Sequence, residues 1–280
     1  MPGWIERLVG RALPGPGVRR IGPLGAGLDH RAVCVDGEWV LRVARSPGRP
    51  VTDEAALLRI IAEVSPVAVP EVTWCDPGAG AMLHRLLPGT PLLGRRVGDP
   101  PAVGRLLADL LNALAALPAR RVAGVVPTDD PPPDAWRAEA AGHAEAVAAH
   151  LDASGRRAVG RFLDADPPEA APHLCLCHCD LGAEHLLADE GGHRLTGVID
   201  WTDAALADRA RDVARVWRDL GDAVTAHLVR GLAPAWTAAD AARARFHARC
   251  ALLEDLAHGL QTGAAAYADN ALANLDRVFR

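Results

Sequence analysis

The pattern of apolar residues changes from strand-like to helix-like near Pro88 and Gly89, and this change limits the possible folds more than any other feature. Before it, Asp36-Gly37 lies between two apolar runs, which is a strong signal for a two-residue hairpin turn. Thr52 precedes two acidic residues and an apolar helical pattern, so we expect it to cap a helix. The first part is therefore predicted to be β-rich, with strands at about 18–24, 30–35 and 38–44.

After Pro88 the apolar spacing is helical, apart from one short β segment. That segment begins near Leu174 and includes a hairpin that turns at Glu190, and Gly263 is expected to break the last helix. The sequence thus predicts an α+β chain with a small lobe at residues 1–87 and a larger, mainly helical lobe at residues 88–280. The helical segments are placed near 101–117, 134–151, 153–164, 208–231 and 237–279.

Composition excludes several classes of function. The chain has 280 residues, half of them apolar, and a net charge of −5, which is the wrong sign for a surface that binds nucleic acid. It contains no run of about twenty apolar residues, and its first residues lack the features of a signal peptide. We expect a cytoplasmic monomer that binds a small molecule, with neither a nucleic acid nor a membrane as partner.

No lysine occurs in the sequence, so all 30 basic residues are arginine. Arginine keeps its proton at ordinary pH and grips phosphate with a planar fork of donors. Mechanisms that use a lysine base or a lysine Schiff base are therefore excluded, and any cation that the protein needs for phosphate must be an arginine.

Cys175, Cys177 and Cys179 alternate along one apolar run, which places them on one face of a predicted strand. Structural zinc sites take paired ligands with a matching second pair elsewhere, and the sequence has no such second pair. We therefore expect the cysteines to serve packing rather than metal binding.

The residues between and after these cysteines carry a catalytic pattern. His178-x-Asp180 is followed by His185 and, at the end of a predicted hairpin, by Ile199-Asp200-Trp201. This is the arrangement of kinase machinery, in which one aspartate orients the acceptor hydroxyl and two later side chains hold magnesium. The combination of this pattern with a preceding β-rich lobe predicts phosphoryl transfer.

The segment "HCDLGAEHLLADEGGHRLTGVIDWTDAALADRARD" resembles the catalytic core of the aminoglycoside phosphotransferase family. Within that family it is most similar to macrolide phosphotransferases and to aminoglycoside phosphotransferases that carry His in place of Asn. "GLDHRAVCVDGEWVLRVAR" and "LLPGTPL" are similar to the same proteins, and the resemblance covers most of residues 20–215. It implies a protein-kinase-like bilobal fold, with a small β-rich N-terminal lobe and a larger, mainly helical C-terminal lobe.

The resemblance also implies a role for each residue of the motif. Asp180 would be the catalytic group, and His185 and Asp200 would hold Mg²⁺ next to the phosphates. His178 is expected to brace the loop, and Glu184 is expected to face solvent. Asp208 and Asp212 would cap a helix and brace the catalytic loop from it.

The resemblance implies that the small lobe binds the nucleotide, which is ATP or GTP. Arg42 stands where kinases place a strand lysine, with Glu54 as its partner. The glycine-rich stretch that contains Gly25 and Gly27 would cover the phosphates. The purine would lie against the segment from His84 to Leu87, and His84 and Leu86 are the residues assigned to it.

The predicted function is Mg²⁺-dependent transfer of the γ-phosphate to a hydroxyl of a small molecule, with a macrolide or aminoglycoside antibiotic as the leading acceptor and resistance as the result. A metabolite kinase and a nucleotide-binding regulator without turnover remain alternatives. An acidic acceptor pocket could use Asp203, Asp219, Asp222, Glu254 and Asp255, and an apolar one could use Trp217, Leu220 and Leu253.

Overall fold

A five-stranded antiparallel sheet forms the first part of the chain in the computed structural model, which describes residues 3–15, 19–26, 30–45 and 49–279. The strand order is β1-β2-β3-β5-β4. Asp36 and Gly37 have φ values of 57° and 76°, and a tight hairpin turn joins β2 to β3 at the expected place. Because Val35 pairs with Trp39, the loop holds three residues, 36–38, and the expectation of two was wrong. The strands are β1 (Ile21–Ala26), β2 (His30–Val35), β3 (Trp39–Ala44), β4 (Val72–Asp76) and β5 (Ala81–Arg85).

Two helices flank this sheet and join different cores. Helix α1 (Gly3–Ala12) packs its buried face, which includes Ile5, against the apolar side chains of the sheet. Helix α2 (Val51–Ala62) instead contributes its buried face, Leu57, Leu58 and Ile61, to the larger core of the second part of the chain. The shared face of these three side chains was expected from their spacing.

The start of α2 corrects one expectation. The residue at the N-cap is Pro50, and no side chain caps the helix. Thr52 therefore lies inside the first turn, where its hydroxyl does not reach the free backbone N–H groups that a capping side chain accepts from. The prediction that Thr52 caps this helix was wrong.

In the described residues after Pro91, seven further α-helices form most of the second part and enclose its core. Helix α7 packs against both α3 and α8. Gly263 adopts a left-handed conformation between α8 and α9, where a break was expected, and Thr237 caps α8. The helices are α3 (Pro100–Ala115), α4 (Ala119–Val122), α5 (Pro133–Val147), α6 (Ala153–Asp164), α7 (Ala210–Arg230), α8 (Ala238–Thr262) and α9 (Ala265–Phe279).

Short strands between α6 and α7 are connected by two loops. Strand β7 (Cys175–Cys177) pairs with β10 (Ala205–Ala207). The hairpin of β8 (Leu186–Ala188) and β9 (Leu195–Val198) pairs with β6 (Thr90–Pro91). The loop from 178 to 185 thus joins β7 to β8, and the loop from 199 to 204 joins β9 to β10.

The sheet followed by a helical part confirms the expected α+β class. Within the described ranges, every helix is too short or too polar to cross a membrane.

Candidate active site

The loop between β7 and β8 is held in place by one buried carboxylate. Asp212, in the first turn of α7, accepts hydrogen bonds from the backbone N–H groups of His178 at 2.9 Å and Cys179 at 2.8 Å. Cys179 has a φ of 67°, so the chain turns sharply just before Asp180. The loop therefore leaves its strand in a conformation that α7 determines, as expected for Asp212.

This loop brings Asp180 and His185 together with Asp200. The ring Nδ1 of His185 lies 3.4 Å from Oδ2 of Asp180, and its Nε2 lies 3.9 Å from Oδ2 of Asp200. Nδ1 also contacts the backbone carbonyl of Asp180 at 2.8 Å, so it carries the proton and leaves Nε2 toward Asp200. The three side chains are 24%, 14% and 40% exposed, so all of them remain open to the cleft.

Neighbouring charges keep both carboxylates ionised. Burial alone would raise the pKa of Asp180, but the guanidinium of Arg215 and the ring of His185 outweigh it and hold that pKa below its ordinary value. Burial is likewise outweighed at Asp200 by Arg42 and His185, so the pKa of Asp200 is lowered. The site therefore presents two anionic groups on either side of one imidazole.

His178 braces the loop between β7 and β8 through buried contacts. It is fully buried, its Nε2 donates to the carbonyl of Ile199 at 3.0 Å, and its Nδ1 accepts from the N–H of Asp180 at 3.2 Å. Burial lowers the pKa of His178 to about 4, so the ring is neutral. Its ring also lies 4.5 Å from that of Trp201, and the bracing role expected for His178 matches these contacts.

Arg42 links the sheet to the carboxylate of Asp200. It is buried and forms an ion pair with Glu54 at 2.5 Å. Its second nitrogen donates to Asp200 at 3.1 Å and to the hydroxyl of Thr202 at 2.7 Å. A single planar guanidinium therefore joins α2, β3 and the loop after β9.

The remaining residues assigned to the nucleotide occupy different places. His84 and Leu86 line the cleft, and burial lowers the pKa of His84 to about 4. Gly25 lies in β1 opposite Ala32. Gly27 lies outside the described residues.

Asp180, His185 and Asp200 face a cleft with a volume of about 1800 Å³. That volume exceeds the roughly 300–1,000 Å³ of a pocket for one small ligand, so the cleft has room for more than one. The lining includes Leu24, Val40 and His84 of the sheet, and Leu86 just after β5. It also includes side chains of the helices, namely Trp136, Glu254, Asp255, His258 and Tyr267.

Glu184 lies in the site, so the expectation that it faces solvent was wrong. One ligand atom from each of Asp180, Glu184 and His185 lies within 4.8 Å of the others. Burial raises the pKa of Glu184. The loop folds back over Gly182, which turns the Glu184 side chain inward, and the sequence contains no periodic pattern that would have revealed this.

Arg215 was also missed. It donates through Nε to the carbonyl of Cys179 at 3.0 Å, and its Nη1 lies 3.2 Å from Oδ1 of Asp180. Its spacing of three residues from Asp212 places both side chains on one face of α7, and this spacing could have indicated its position.

Several residues proposed for the acceptor pocket serve other contacts. Asp219 is buried and bonded to Arg218, while Asp222 accepts from the indole of Trp217. Leu253 is fully buried in the core. Of the acidic set, Asp203, Glu254 and Asp255 do line the cleft.

The cysteines pack as expected. Cys177 and Cys179 are buried against Ala205 and Ala207, and Cys175 lies beside them. Burial raises the pKa of Cys179 to about 12, so its thiol stays protonated. In the described part of the chain, the one group of three potential metal ligands is Asp180, Glu184 and His185, and it contains no cysteine.

Comparisons with known proteins identify the family that this chain matches. Residues 20–247 match the family described as "Phosphotransferase enzyme family". Viomycin phosphotransferase of Streptomyces vinaceus is 30% identical over 208 residues, which make up 69% of each chain.

Solved structures show the same fold. The GDP complex of aminoglycoside 2'-phosphotransferase-IIIa superposes with a TM-score of 0.75 at 20% identity, over 98% of this chain and 97% of that one. A macrolide 2'-phosphotransferase from Brachybacterium faecium gives a TM-score of 0.60 at 25% identity, over 98% of both chains.

Proposed function

The chain belongs to the phosphotransferase enzyme family, and from this premise we propose that it transfers the γ-phosphate of ATP or GTP to a hydroxyl group of an antibiotic, with the help of Mg²⁺. The observation that carries the proposal is the convergence of Asp180, His185 and Asp200 on one cleft that is large enough for two ligands. Inactivation of the antibiotic, and hence resistance, would be the result.

Asp180 is the proposed catalytic residue. Phosphoryl transfer needs little covalent chemistry from the protein, so the main task is to align the acceptor hydroxyl with the γ-phosphate. The carboxylate of Asp180 accepts the proton of that hydroxyl as it is released. Arg215 and His185 hold this carboxylate in one orientation and keep it ionised.

The donor atoms near Asp200 fit Mg²⁺. The ion prefers oxygen ligands in octahedral geometry and keeps several waters, and Asp200 offers a carboxylate with Nε2 of His185 only 3.9 Å away. We assign Asp200 and His185 to the ion, which when bound would neutralise charge on the phosphates. Arg42 would share Asp200 with it, because one guanidinium nitrogen already contacts that carboxylate.

The nucleotide is assigned to the end of the cleft next to the sheet. Arg42, fixed by Glu54, would contact the phosphates. Gly25 and Gly27 would allow the backbone to approach them closely, and His84 and Leu86 would lie against the base. With this division, residues 1–87 hold the nucleotide and residues 88–280 carry the catalytic groups and the acceptor.

The acceptor is assigned to the opposite end, beside Glu254 and Asp255. The proposal of an antibiotic acceptor rests on the relatives, which are named as phosphotransferases of viomycin, aminoglycosides and macrolides. Family membership supports phosphoryl transfer more strongly than it supports any one acceptor.

A substrate panel tests the proposal. The purified protein is incubated with ATP or GTP, Mg²⁺ and viomycin, aminoglycosides, macrolides, sugars or amino alcohols, and products are analysed by mass spectrometry. We expect one antibiotic to gain a single phosphate, and Asp180→Asn to abolish the product. Phosphorylation of a sugar or amino alcohol alone would favour a metabolite kinase, whereas tight nucleotide binding without any product would favour a regulator.

A further inference from the structure

The two oxygens of the Asp200 carboxylate have different surroundings. Oδ1 accepts a hydrogen bond from the hydroxyl of Thr202 at 2.8 Å and another from Nη2 of Arg42 at 3.1 Å. Oδ2 instead lies 3.9 Å from Nε2 of His185. A carboxylate oxygen offers about two lone-pair sites, and the two donors use those of Oδ1. Oδ2 is therefore the better placed of the two oxygens to bind an ion.

The direction of the hydrogen bond between Thr202 and Asp200 follows from the other partner of the hydroxyl. Nη2 of Arg42 donates to Oγ1 of Thr202 at 2.7 Å, and a guanidinium can only donate. The single proton of the hydroxyl is thus left for the carboxylate of Asp200. Because it accepts from one neighbour and donates to the other, the hydroxyl is held in one orientation.

The backbone on either side of Asp200 is held by other contacts. The N–H of Ile199 donates to the carbonyl of His185 at 3.0 Å. On the other side, Arg49 donates to the carbonyl of Trp201 at 3.1 Å. These contacts fix the course of the chain but leave the rotation of the Asp200 side chain open. That rotation is restricted by the two hydrogen bonds that Oδ1 accepts.

We propose that Thr202 is a positioning residue for the divalent cation. Its hydroxyl, together with Arg42, holds Oδ1 of Asp200, so that Oδ2 stays directed to the ion. Removing a side chain that orients a metal ligand typically lowers metal affinity about ten- to one-hundred-fold. This inference rests on the proposed function, because it takes Asp200 as a ligand of Mg²⁺.

The test measures binding of the cation without turnover. Mn²⁺ serves as a paramagnetic probe in place of Mg²⁺, and free Mn²⁺ is measured by electron paramagnetic resonance during titration of the ADP complex, with protein in excess so that all ADP is bound. In Thr202→Val, which keeps the shape of the side chain but loses the hydroxyl, affinity for Mn²⁺ should fall about tenfold or more. Thr202→Ser keeps the hydroxyl and should recover most of that affinity.

Binding of ADP without a metal separates this role from a structural one. Calorimetry in the presence of EDTA should show little change in ADP affinity for Thr202→Val, because Arg42 keeps its contacts with Glu54 and Asp200. If Thr202 served only to hold Arg42 against the phosphates, or if the substitution disturbed the cleft, ADP would bind more weakly even without the ion. A loss of metal-free ADP binding as large as the loss of Mn²⁺ binding would overturn the inference.

Thr225→Val is the matched control for the loss of a hydroxyl. Thr225 also donates to an oxygen of the chain, the carbonyl of Gly221 at 2.9 Å, but among the described residues it is not one of those that line the cleft. This variant should bind Mn²⁺ as the wild type does. Equal losses in Thr225→Val and Thr202→Val would assign the effect to the fold and contradict the inference.

The proposed function and this inference can fail separately. If the ADP complex of the wild type binds no Mn²⁺, the assigned cation site is wrong and the role of Thr202 is wrong with it. If the wild type binds the ion and Thr202→Val binds it equally well, the role of Thr202 alone is overturned. Failure of Thr202→Ser to regain affinity would also count against it, since the serine hydroxyl can make the same hydrogen bond.

Discussion

Arg215 ties the conformation of Asp180 to helix α7. Because it bonds both to the loop backbone and to the carboxylate, we expect Arg215→Met to lower kcat about ten- to one-hundred-fold, with little change in the KM for the nucleotide. Arg215→Lys should recover part of the rate, since it restores the charge without the planar fork. Steady-state kinetics measure this, with Arg230→Met at the exposed end of the same helix as a control. A comparable loss in Arg230→Met would contradict the prediction.

Arg42 satisfies Glu54, Asp200 and Thr202 with one planar group. A lysine ammonium carries the same charge but lacks the fork that reaches these partners together. We expect Arg42→Lys to raise the KM for the nucleotide several-fold and Arg42→Met to raise it about tenfold or more. Nucleotide titration monitored by calorimetry checks the order of the two effects, and Arg20→Met, at an exposed position, provides the matched control. Equal binding by all variants would show that Arg42 does not contact the phosphates.

Individual residues differ in how far the sequence reveals them. Asp180, His185 and Asp200 could be grouped from their spacing, because a motif reflects the geometry of the whole loop. Glu184 could not, since its direction depends on the chain folding back over Gly182. The roles of the grouped residues stay predictions until activity is measured.

At the level of elements, α7 holds the catalytic loop at two points. Asp212 binds the N–H groups of His178 and Cys179, and two turns later Asp219 accepts from the N–H of Ala183 at 2.9 Å. One helix face therefore sets the curvature of the loop at both of its ends.

The hydrogen bonds that Asp212 accepts predict a loss of stability when this residue is replaced. In Asp212→Asn, one side-chain oxygen is replaced by a donor that faces a backbone donor, so we expect the free energy of unfolding to fall by about 1–3 kcal/mol. Urea unfolding measures the change. Asp222→Asn, just after the kink at Gly221 in α7, removes the charge from an exposed carboxylate that accepts a hydrogen bond from the indole of Trp217, and it should cost much less. If both substitutions cost the same, the clamp by Asp212 is not a major source of stability.

Elements with a local signal were predictable. The hairpin at Asp36-Gly37 follows from turn chemistry, and helix α8 begins at the expected Thr237. Helix α1 and strand β4 were not predicted. The first packs its apolar face on a distant sheet, and the second is a short edge strand whose pairing with β5 is not visible in its own residues.

At the scale of the whole molecule, folding changes the number of bound protons. Burial, with Arg211, Arg215 and Arg243, lowers the pKa of His247 from 6.5 to about 3. The unfolded chain therefore binds an extra proton below pH 6.5, and this site reduces stability as the pH falls toward 3. Asp212 and Asp255 act in the opposite direction, since burial raises their pKa to about 6 and about 7.

Because these contributions to the pH dependence of stability partly cancel, we predict the difference in stability between a variant and the wild type. In His247→Gln the unfolded chain no longer binds a proton at this position. The free energy of unfolding of the variant, relative to the wild type, should therefore rise by about 2 kcal/mol when the pH is lowered from 7.5 to 5. Urea unfolding of both proteins at the two pH values gives this number. Parallel changes in the two proteins would show that His247 is not held neutral.

The two lobes could be anticipated from the switch in apolar spacing, and the size of the cleft could not, because it depends on how the lobes pack. Helix α2 belongs to the small lobe by its place in the sequence, but it buries its apolar face in the large lobe. We therefore expect α2 to stay with the large lobe if the sheet moves away from it. Arg42 on the sheet is bonded to Glu54 on this helix and to Asp200 and Thr202 in the large lobe, so such a movement would have to break all three contacts.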